Sequence, residues 1–248
     1  MARDYVDTVT FDLWNTLIAH DELYDGRLRA ARTRGIVEVL QDAGYDVPGE
    51  AVDRAYDSSD QFLEERWASY HDIDTEGQVA ILLKCMGIEP APALVRAVAD
   101  PYANAVLHVE PFLVAGTMEA LEQISAEGMR LALISNTGRT PGSAMRKVIG
   151  KLGLLDRFEV TTFSNEAGYL KPHPRIFELT LSRMGARPER TVHVGDHDVL
   201  DVQGAKDFGM KSVRVLQYAG SRRDRPCAPD ACVETMAGVP GAIFGLRE

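Results

Sequence analysis

Short runs of β-branched and apolar residues alternate, over much of the chain, with longer stretches that repeat apolar positions every three or four residues. This alternation predicts βαβ units, and therefore an α/β protein with a parallel sheet. The predicted strands cover residues 6–11, 130–135, 159–162, 191–194, 212–215 and 231–233.

Three predicted helices of this alternating region are each followed directly by a glycine. Glycine takes the positive φ of a helix C-terminal cap more easily than any other residue, so these positions predict where the helices end. The helices cover residues 118–127, 175–184 and 202–208, before Gly128, Gly185 and Gly209.

The region from residue 20 to residue 110 has a different pattern. It contains no convincing strand, and its amphipathic stretches predict helices at 27–43, 49–70 and 78–86. We therefore expect a helical unit inserted after the first strand.

Near the other end of the chain, residues 220–229 contain three arginines and two prolines, which predicts an exposed loop.

Composition narrows the class of protein. A formal net charge of −10 disfavours nucleic acid as a partner, because binding to a phosphate backbone relies on clustered Lys and Arg. No window reaches the roughly 18 apolar residues of a membrane span, and no basic start precedes an apolar leader, so we expect a cytoplasmic protein without a membrane partner. Cys85, Cys227 and Cys232 are too scattered for a disulfide framework, and we interpret the latter two as loop residues. The oligomeric state stays open.

An acidic residue stands at the end of the first predicted strand, in the run TFDLWNTL that contains Asp12, Trp14 and Asn15. A carboxylate at the carboxyl edge of a parallel sheet lies beside the crevice where open α/β sheets bind ligands, and it can act as a nucleophile or a metal ligand. The alternative is a turn or cap residue, which is the usual role of Asp in such a place.

Polar residues also follow two further strands. Ser135 and Asn136 come after the second predicted strand, where a hydroxyl and turning backbone N–H groups suit phosphate oxygens, although a helix N-cap is the alternative. Lys171 precedes Pro172, which fixes the turn and removes a backbone donor. A lone lysine is more commonly solvent-exposed.

Three acids follow the strand at 191–194: Asp196, Asp198 and Asp201. Clustered carboxylates repel one another unless a cation neutralises them, and an oxygen-rich site suits Mg²⁺. The alternative is a helix N-terminus that carries acidic residues.

These four motifs, in this order, resemble those of the haloacid dehalogenase-like hydrolase superfamily, in its phosphatase-like branch with a helical cap. The resemblance also covers the segment VQGAKDFGM that follows the fourth motif. It implies a Rossmann-like, doubly wound parallel sheet formed by residues 1–19 and 111–248, with a helical cap domain at 20–110. It further implies a small phosphorylated molecule as substrate and Mg²⁺ as cofactor.

The resemblance also implies roles for individual residues. Asp12 would be the nucleophile that forms an aspartyl-phosphate, while Ser135 and Lys171 hold the transferring phosphoryl group and Asn136 and Thr16 support that site, Thr16 by fixing the nucleophile turn. Mg²⁺ would bind Asp12, Asp196 and the backbone carbonyl of Trp14. For Asp201 three roles remain open: binding a metal-bound water, orienting Lys171, or direct ligation.

Trp14 departs from the phosphatase pattern, which has a second aspartate there as general acid and base. An indole cannot transfer that proton, and losing such a group typically lowers a rate by about 10² to 10⁴. Substrates with a stable leaving group, such as acyl or phenolic phosphates, need less protonation. Another residue can also supply the proton, and the candidates are His20, His197, Arg66, Tyr70 and His71.

The function that we expect is Mg²⁺-dependent hydrolysis of a small phosphorylated metabolite through an aspartyl-phosphate. One alternative is attack of Asp12 at carbon, as in the 2-haloacid dehalogenases of the same superfamily, which carry an aromatic residue at the position of Trp14. Those enzymes need no metal, and Asp196 would burden a site that binds a substrate carboxylate. A second alternative is a slow or non-catalytic phosphate-binding regulatory protein.

Overall fold

The structure, a computed structural model, describes residues 5–219 and 227–247. Within these residues, six parallel strands form one sheet in the order β5-β4-β1-β6-β7-β8, and β2 pairs with β3 in an antiparallel ribbon. The strands are β1 Thr8–Phe11, β2 Ile18–Ala19, β3 Phe112–Leu113, β4 Arg130–Ser135, β5 Val160–Phe163, β6 Thr191–Gly195, β7 Lys211–Val215 and β8 Ala231–Val233.

Helices cover both faces of the sheet. Apolar residues of α5, α6 and α10 pack on one face, and those of α8 and α9 pack on the other around Ile134. The helices are α1 Tyr24–Asp42, α2 Gly49–Ala68, α3 Thr75–Cys85, α4 Pro92–Asn104, α5 Thr117–Ala126, α6 Gly142–Lys151, α7 Ser164–Ala167, α8 Pro174–Met184, α9 Gly204–Asp207 and α10 Val239–Gly245, and a π-helix, Asp198–Gln203, leads into α9.

The expected fold class, a doubly wound α/β protein with a parallel sheet, is confirmed, and all six predicted strands are present, with no end shifted by more than two residues. The three capping glycines have the expected positive φ, at 76° for Gly128, 61° for Gly185 and 86° for Gly209. The helix predicted at 202–208 is wrong in type over its first part, because a π-helix precedes α9. The predicted loop at 220–229 lies mostly outside the described residues.

Helices α1 to α4 lie between β2 and β3 in the chain and pack around an apolar cluster of their own. This cluster includes Ile36, Leu40, Leu82 and Tyr102, all fully buried. We call residues 24–104 the helical insertion; the domain boundaries at 20 and 110 stay a prediction.

Among the described residues, no helix has both the length and the apolar run that a bilayer crossing needs.

Two buried arginines connect the helical insertion to the loop after β4. Arg139, in that loop, donates from Nη1 to the hydroxyl of Tyr102 at 2.9 Å and from Nη2 to the Oγ of Ser59 at 2.8 Å. Arg32, in α1, donates from Nη2 to Oγ1 of Thr140 at 2.5 Å. Because these donors are desolvated and paired, they fix the loop after β4 against the insertion.

Strand β1 lies in the middle of the sheet, between β4 and β6, and its register brings three motifs together. Phe11 pairs with Leu133 on one side and with Val194 on the other. The strands are parallel, so the residues that follow them lie at one edge of the sheet. Asp12, the Ser135–Asn136 turn and the acidic loop after β6 therefore share that edge.

Candidate active site

Asp12 is the first residue after β1, and its carboxylate is held at both oxygens. The backbone N–H of Asp12 donates to the carbonyl of Val194 at 2.8 Å, which continues the strand pairing. Asn15 then takes a left-handed conformation, with φ at 60°, and turns the chain back. This turn brings Thr16 under the carboxylate, where its Oγ1 donates to Asp12 Oδ2 at 3.2 Å. Oδ1 accepts from Lys171.

Lys171 is fully buried and lies between two carboxylates. Its Nζ is 2.5 Å from Oδ1 of Asp12 and 2.7 Å from Oδ1 of Asp201. Asn136 holds the backbone of this lysine on both sides: its Oδ1 accepts from the N–H of Lys171 at 2.8 Å, and its Nδ2 donates to the carbonyl at 3.1 Å. The turn after β4 thus fixes the ammonium beside Asp12.

Ser135 is the last residue of β4 and is fully buried. Its Oγ donates to the carbonyl of Asn136 at 3.3 Å. The predicted phosphate-side residues after β4 are therefore adjacent in space, with Asn136 supporting Lys171 and the hydroxyl of Ser135 turned toward the following backbone.

Asp201 accepts hydrogen bonds from three directions. Its Oδ1 accepts from Lys171 and from Nε2 of His193, at 3.1 Å, and its Oδ2 accepts from the backbone N–H of His197 at 2.9 Å. This arrangement agrees with one of its three predicted roles, the orientation of Lys171. The carboxylate packs directly on β6, since a Cβ on Gly195 would lie 2.3 Å from its Cγ. Only glycine fits at that position.

His193 was missed by the sequence analysis. It lies in the middle of β6 and is fully buried, and its Nδ1 is 2.8 Å from Oγ1 of Thr10 on β1. Burial lowers the pKa of His193. The contact with Asp201 raises this pKa, but the effect of burial is larger. The ring is therefore neutral, and because a carboxylate only accepts, the proton lies on Nε2. The sequence did contain one signal for this residue, because His193 is a polar residue between apolar neighbours in a predicted strand.

The three carboxylates have divergent pKa values. Burial, with the nearby charges of Asp12 and Asp201, raises the pKa of Asp196 to about 8. Burial also raises the pKa of Asp12 to about 6, against the attraction of Lys171. Burial acts in the same direction on Asp201, but Lys171 and His193 outweigh it and hold that pKa well below its usual range.

Lys171 stays charged in this setting, since burial lowers its pKa but the two carboxylates beside it raise it further. One ammonium therefore faces three carboxyl groups, those of Asp12, Asp196 and Asp201. A carboxylate oxygen from each of the three lies within 4.8 Å of the others. A hard cation with oxygen ligands, such as Mg²⁺, would offset this excess of negative charge.

The three carboxyl groups and the ammonium of Lys171 border one cavity of about 170 Å³. Trp14 lies at this cavity together with Asp12. The lining residues are Asp12, Trp14, Asn15, Asn136, Lys171, Asp196, His197, Leu200 and Asp201. The volume suits a phosphoryl group better than a whole metabolite.

Among the predicted sources of a proton, His197 lines this cavity. Its Nδ1 accepts from the backbone N–H groups of Val199 and Leu200, at 3.0 and 3.1 Å. Taking up a proton at Nδ1 would cost both hydrogen bonds, so the geometry assigns the ring proton to Nε2. His20 lies outside the lining and stacks on Tyr24, with its edge against Trp14.

The other three candidates lie together at the end of α2. Arg66 and Tyr70 are exposed, and Tyr70 has a positive φ of 58°. His71 forms an antiparallel bridge with Tyr169 and contacts the ring of His173, at 5.7 Å between centroids. In the part of the chain that the structure describes, none of the three lines the cavity.

Comparison with known proteins places this geometry in a family. The glyceraldehyde 3-phosphate phosphatase of Methanothermobacter thermautotrophicus is 33% identical over 198 residues, which cover 79% of this chain and 81% of that protein. The ribulose-1,5-bisphosphate 5-phosphatase of Halopiger xanaduensis is 30% identical, over 83% of this chain and 82% of that protein.

The crystal structure of 2-haloacid dehalogenase from Pseudomonas syringae pv. Tomato DC3000 matches the fold with a TM-score of 0.70 and 22% identity, covering 97% of this chain and 99% of that one. At that identity the likeness shows the fold alone. A family model for haloacid dehalogenase-like hydrolases matches residues 6–209, which is most of the chain. The protein therefore belongs to the haloacid dehalogenase-like hydrolases.

Proposed function

We propose that this chain is a Mg²⁺-dependent phosphohydrolase of small phosphorylated metabolites that acts through an aspartyl-phosphate on Asp12. The observation that carries the proposal is the position of Lys171, buried between Asp12 and Asp201 at the edge of a cavity of phosphoryl size. The two relatives described above bear the names of phosphatases, which supports the same chemistry.

The donor set at this cavity fits Mg²⁺. Asp12 and Asp196 offer carboxylate oxygens, and Trp14 offers its backbone carbonyl. Both oxygens of Asp201 already accept from nitrogen donors, so its role is to orient Lys171. When bound, Mg²⁺ would neutralise charge on the phosphoryl oxygens and on the carboxylates that face them.

The residues of the chain supply the remaining steps. An oxygen of Asp12 attacks phosphorus in line, the bond from phosphorus to the leaving oxygen breaks, and the electron pair departs with the leaving group. Lys171 offsets the charge that develops on the phosphoryl oxygens, and Thr16 holds the carboxylate in position. Water then attacks the phosphorus of the aspartyl-phosphate, and the bond from phosphorus to the Asp12 oxygen breaks with its electron pair returning to the carboxylate. The proton that the water loses goes to the released phosphate or to solvent, and Asp12 is restored.

Departure of the leaving group is the step that Trp14 leaves unassisted. An indole has no proton to transfer at neutral pH, and Nδ1 of His197 is engaged with the backbone. We therefore expect the best substrates to be phosphates whose leaving group is already stable, such as acyl or aryl phosphates. Residues 20–110 act as a cap that covers the cavity and selects the substrate.

The proposal is tested with p-nitrophenyl phosphate, whose leaving group needs little protonation. We expect hydrolysis with Mg²⁺, loss of turnover with EDTA, and a loss of at least about 10³-fold in Asp12→Asn with an unchanged circular dichroism spectrum. Metal-independent hydrolysis, or normal turnover in Asp12→Asn, would contradict the proposal.

Trp14 favours one second candidate, attack of Asp12 at the carbon of a 2-haloacid. An aromatic side chain beside the nucleophile suits displacement of halide, which requires no proton on the leaving group. Asp196 argues against it, because a third carboxylate at the cavity repels a carboxylate substrate. Halide release from 2-chloropropionate, without phosphatase activity, would establish this candidate instead. Tight phosphate binding without either activity would indicate a regulatory protein.

A further inference from the structure

A buried ion pair lies beneath the loop that carries Asp196. Arg214, in β7, and Asp198, at the start of the π-helix, are 4% and 0% exposed. Nη1 of Arg214 is 2.9 Å from Oδ1 of Asp198. The same guanidinium donates from Nε to the backbone carbonyl of Asp196 at 3.1 Å.

The guanidinium is the countercharge of Asp198. Neither carboxylate oxygen of Asp198 accepts a well-aligned hydrogen bond from the described residues, so the contact with Arg214 offsets its buried charge. An unpaired carboxylate at this depth would be strongly unfavourable. The planar fork of arginine lets one side chain bind a carboxylate and a carbonyl together, which the single ammonium of lysine does less well.

The two contacts hold both parts of the acidic loop. The hydrogen bond to the carbonyl of Asp196 fixes the backbone of that residue, and the ion pair with Asp198 holds the start of the π-helix that carries Asp201. The strand register places Arg214 opposite Gly195, the residue before this loop. Arg214 is thus tied to the loop by strand pairing and by both side-chain contacts.

Such an anchor matters because Asp196 must be ionised to bind a cation, and in that form the carboxylates of Asp12 and Asp201 repel it. Oxygens of Asp12, Asp196 and Asp201 lie within 4.8 Å of one another. Without a restraint on its backbone, the loop would relax away from the other two carboxylates. The hydrogen bond from Arg214 to the carbonyl of Asp196 supplies that restraint.

We propose that Arg214, paired with Asp198, is a positioning residue that holds Asp196 in place to bind a divalent cation. The inference rests on the proposed function, in which Asp196 is a Mg²⁺ ligand. Arg214 does not itself line the cavity and reaches it only through Asp196, so we expect its effect on cation affinity and not on the chemical step.

Isothermal titration of the purified protein with Mg²⁺ tests the proposal directly. The variants are Arg214→Met, which removes both contacts, Arg214→Lys, which keeps a charge near Asp198 but loses the fork, and Asp198→Asn, which keeps the bond from Arg214 to Asp196. We expect the dissociation constant for Mg²⁺ to rise at least tenfold in both Arg214 variants and less in Asp198→Asn. Activity at saturating Mg²⁺ should stay within about threefold of wild type.

Arg130→Met is the matched control. Arg130 also joins a carboxylate, that of Glu159, to a backbone carbonyl, that of Met184, but it lies at the amino end of β4, away from the cavity. This variant should lower the melting temperature without changing the affinity for Mg²⁺.

The outcomes separate the two proposals. If wild type binds Mg²⁺ and folded Arg214 variants bind it within twofold of wild type, the positioning role is wrong while the proposed function stands. If wild type binds no Mg²⁺, the proposed function fails and this inference fails with it. If Arg214→Met does not fold, Arg214→Lys and Asp198→Asn decide: weaker binding in the lysine variant than in Asp198→Asn supports the role, and equal binding overturns it.

Discussion

Nε2 of His193 donates to Oδ1 of Asp201 at 3.1 Å, and the same carboxylate oxygen accepts from Lys171. A neutral histidine therefore holds the carboxylate that holds the buried ammonium. Replacing His193 by Leu should lower kcat about 10- to 100-fold, since outer partners of a site have effects of that size. It should also cost about 1–3 kcal/mol of stability, because Thr10 and Asp201 lose a buried partner.

The matched variant is His193→Gln, whose Nε2 can still donate to Asp201. We expect it to retain most of the activity that His193→Leu loses. Steady-state kinetics and thermal denaturation of the two variants check this prediction, and equal activity in both would show that the hydrogen bond does not matter.

Trp14 sets the dependence on the leaving group. Trp14→Asp would place a carboxyl group beside Asp12, and if protonation limits the rate, turnover of alkyl phosphates should rise by about 10². Turnover of p-nitrophenyl phosphate should change little, because its leaving group is already stable. Trp14→Phe is the control for lost packing against Tyr24. No gain with glycerol phosphate in Trp14→Asp would contradict the prediction.

Gly195 makes room for Asp201. The Cβ of Gly195→Ala would lie 2.3 Å from Cγ of that carboxylate, which cannot move without leaving Lys171 and His193. We expect a loss of about 1–3 kcal/mol in the free energy of unfolding and a large fall in activity. Gly26→Ala, at an open and exposed position of α1, should be neutral or stabilising by up to about 1 kcal/mol. Urea denaturation of both variants provides the comparison.

Mg²⁺ should stabilise the protein more at pH 8 than at pH 6. The raised pKa of Asp196, about 8, means that the metal-free folded protein keeps a proton there that the unfolded chain has already lost. This group therefore lowers stability as pH rises from about 4 to 8. At pH 8, Mg²⁺ relieves the repulsion between ionised Asp196 and the neighbouring carboxylates. At pH 6, Mg²⁺ must first displace the proton from Asp196.

Melting temperatures with and without saturating Mg²⁺ at the two pH values measure this difference. Asp196→Asn, which has no proton to displace, should lose both the pH dependence and most of the stabilisation. A Mg²⁺-induced shift that is equal at pH 6 and pH 8 in wild type would contradict the prediction.

The sequence predicted the elements that have a strong local signal. Strands with runs of β-branched residues were located to within one or two residues, and the motif residues that follow them do share one edge of the sheet. The ribbon of β2 and β3 was missed because each strand has only two residues, too short for an alternating pattern. The π-helix was missed because a single turn of this kind has no sequence pattern that separates it from an α-helix.

Supporting residues were harder to predict than the residues they support. Asp12, Lys171 and Asp196 occur in recognisable motifs, whereas His193 and Arg214 occur inside strands with no motif around them. Their roles come from neighbours that are distant in the chain, Thr10 for the histidine and Asp198 for the arginine. A polar residue inside a buried strand is a signal that a partner exists, but only the three-dimensional structure identifies that partner.

The central place of β1 also governs how this chain folds. Thr8 pairs with Arg130 on one side and with Thr191 on the other, so β1 cannot complete its pairing until two very distant segments arrive. Contacts of such long sequence separation make folding slow. The helical insertion packs around its own apolar cluster, and a compact insertion shortens the loop that β1 and β4 must close. Formation of the site is therefore expected among the last events of folding.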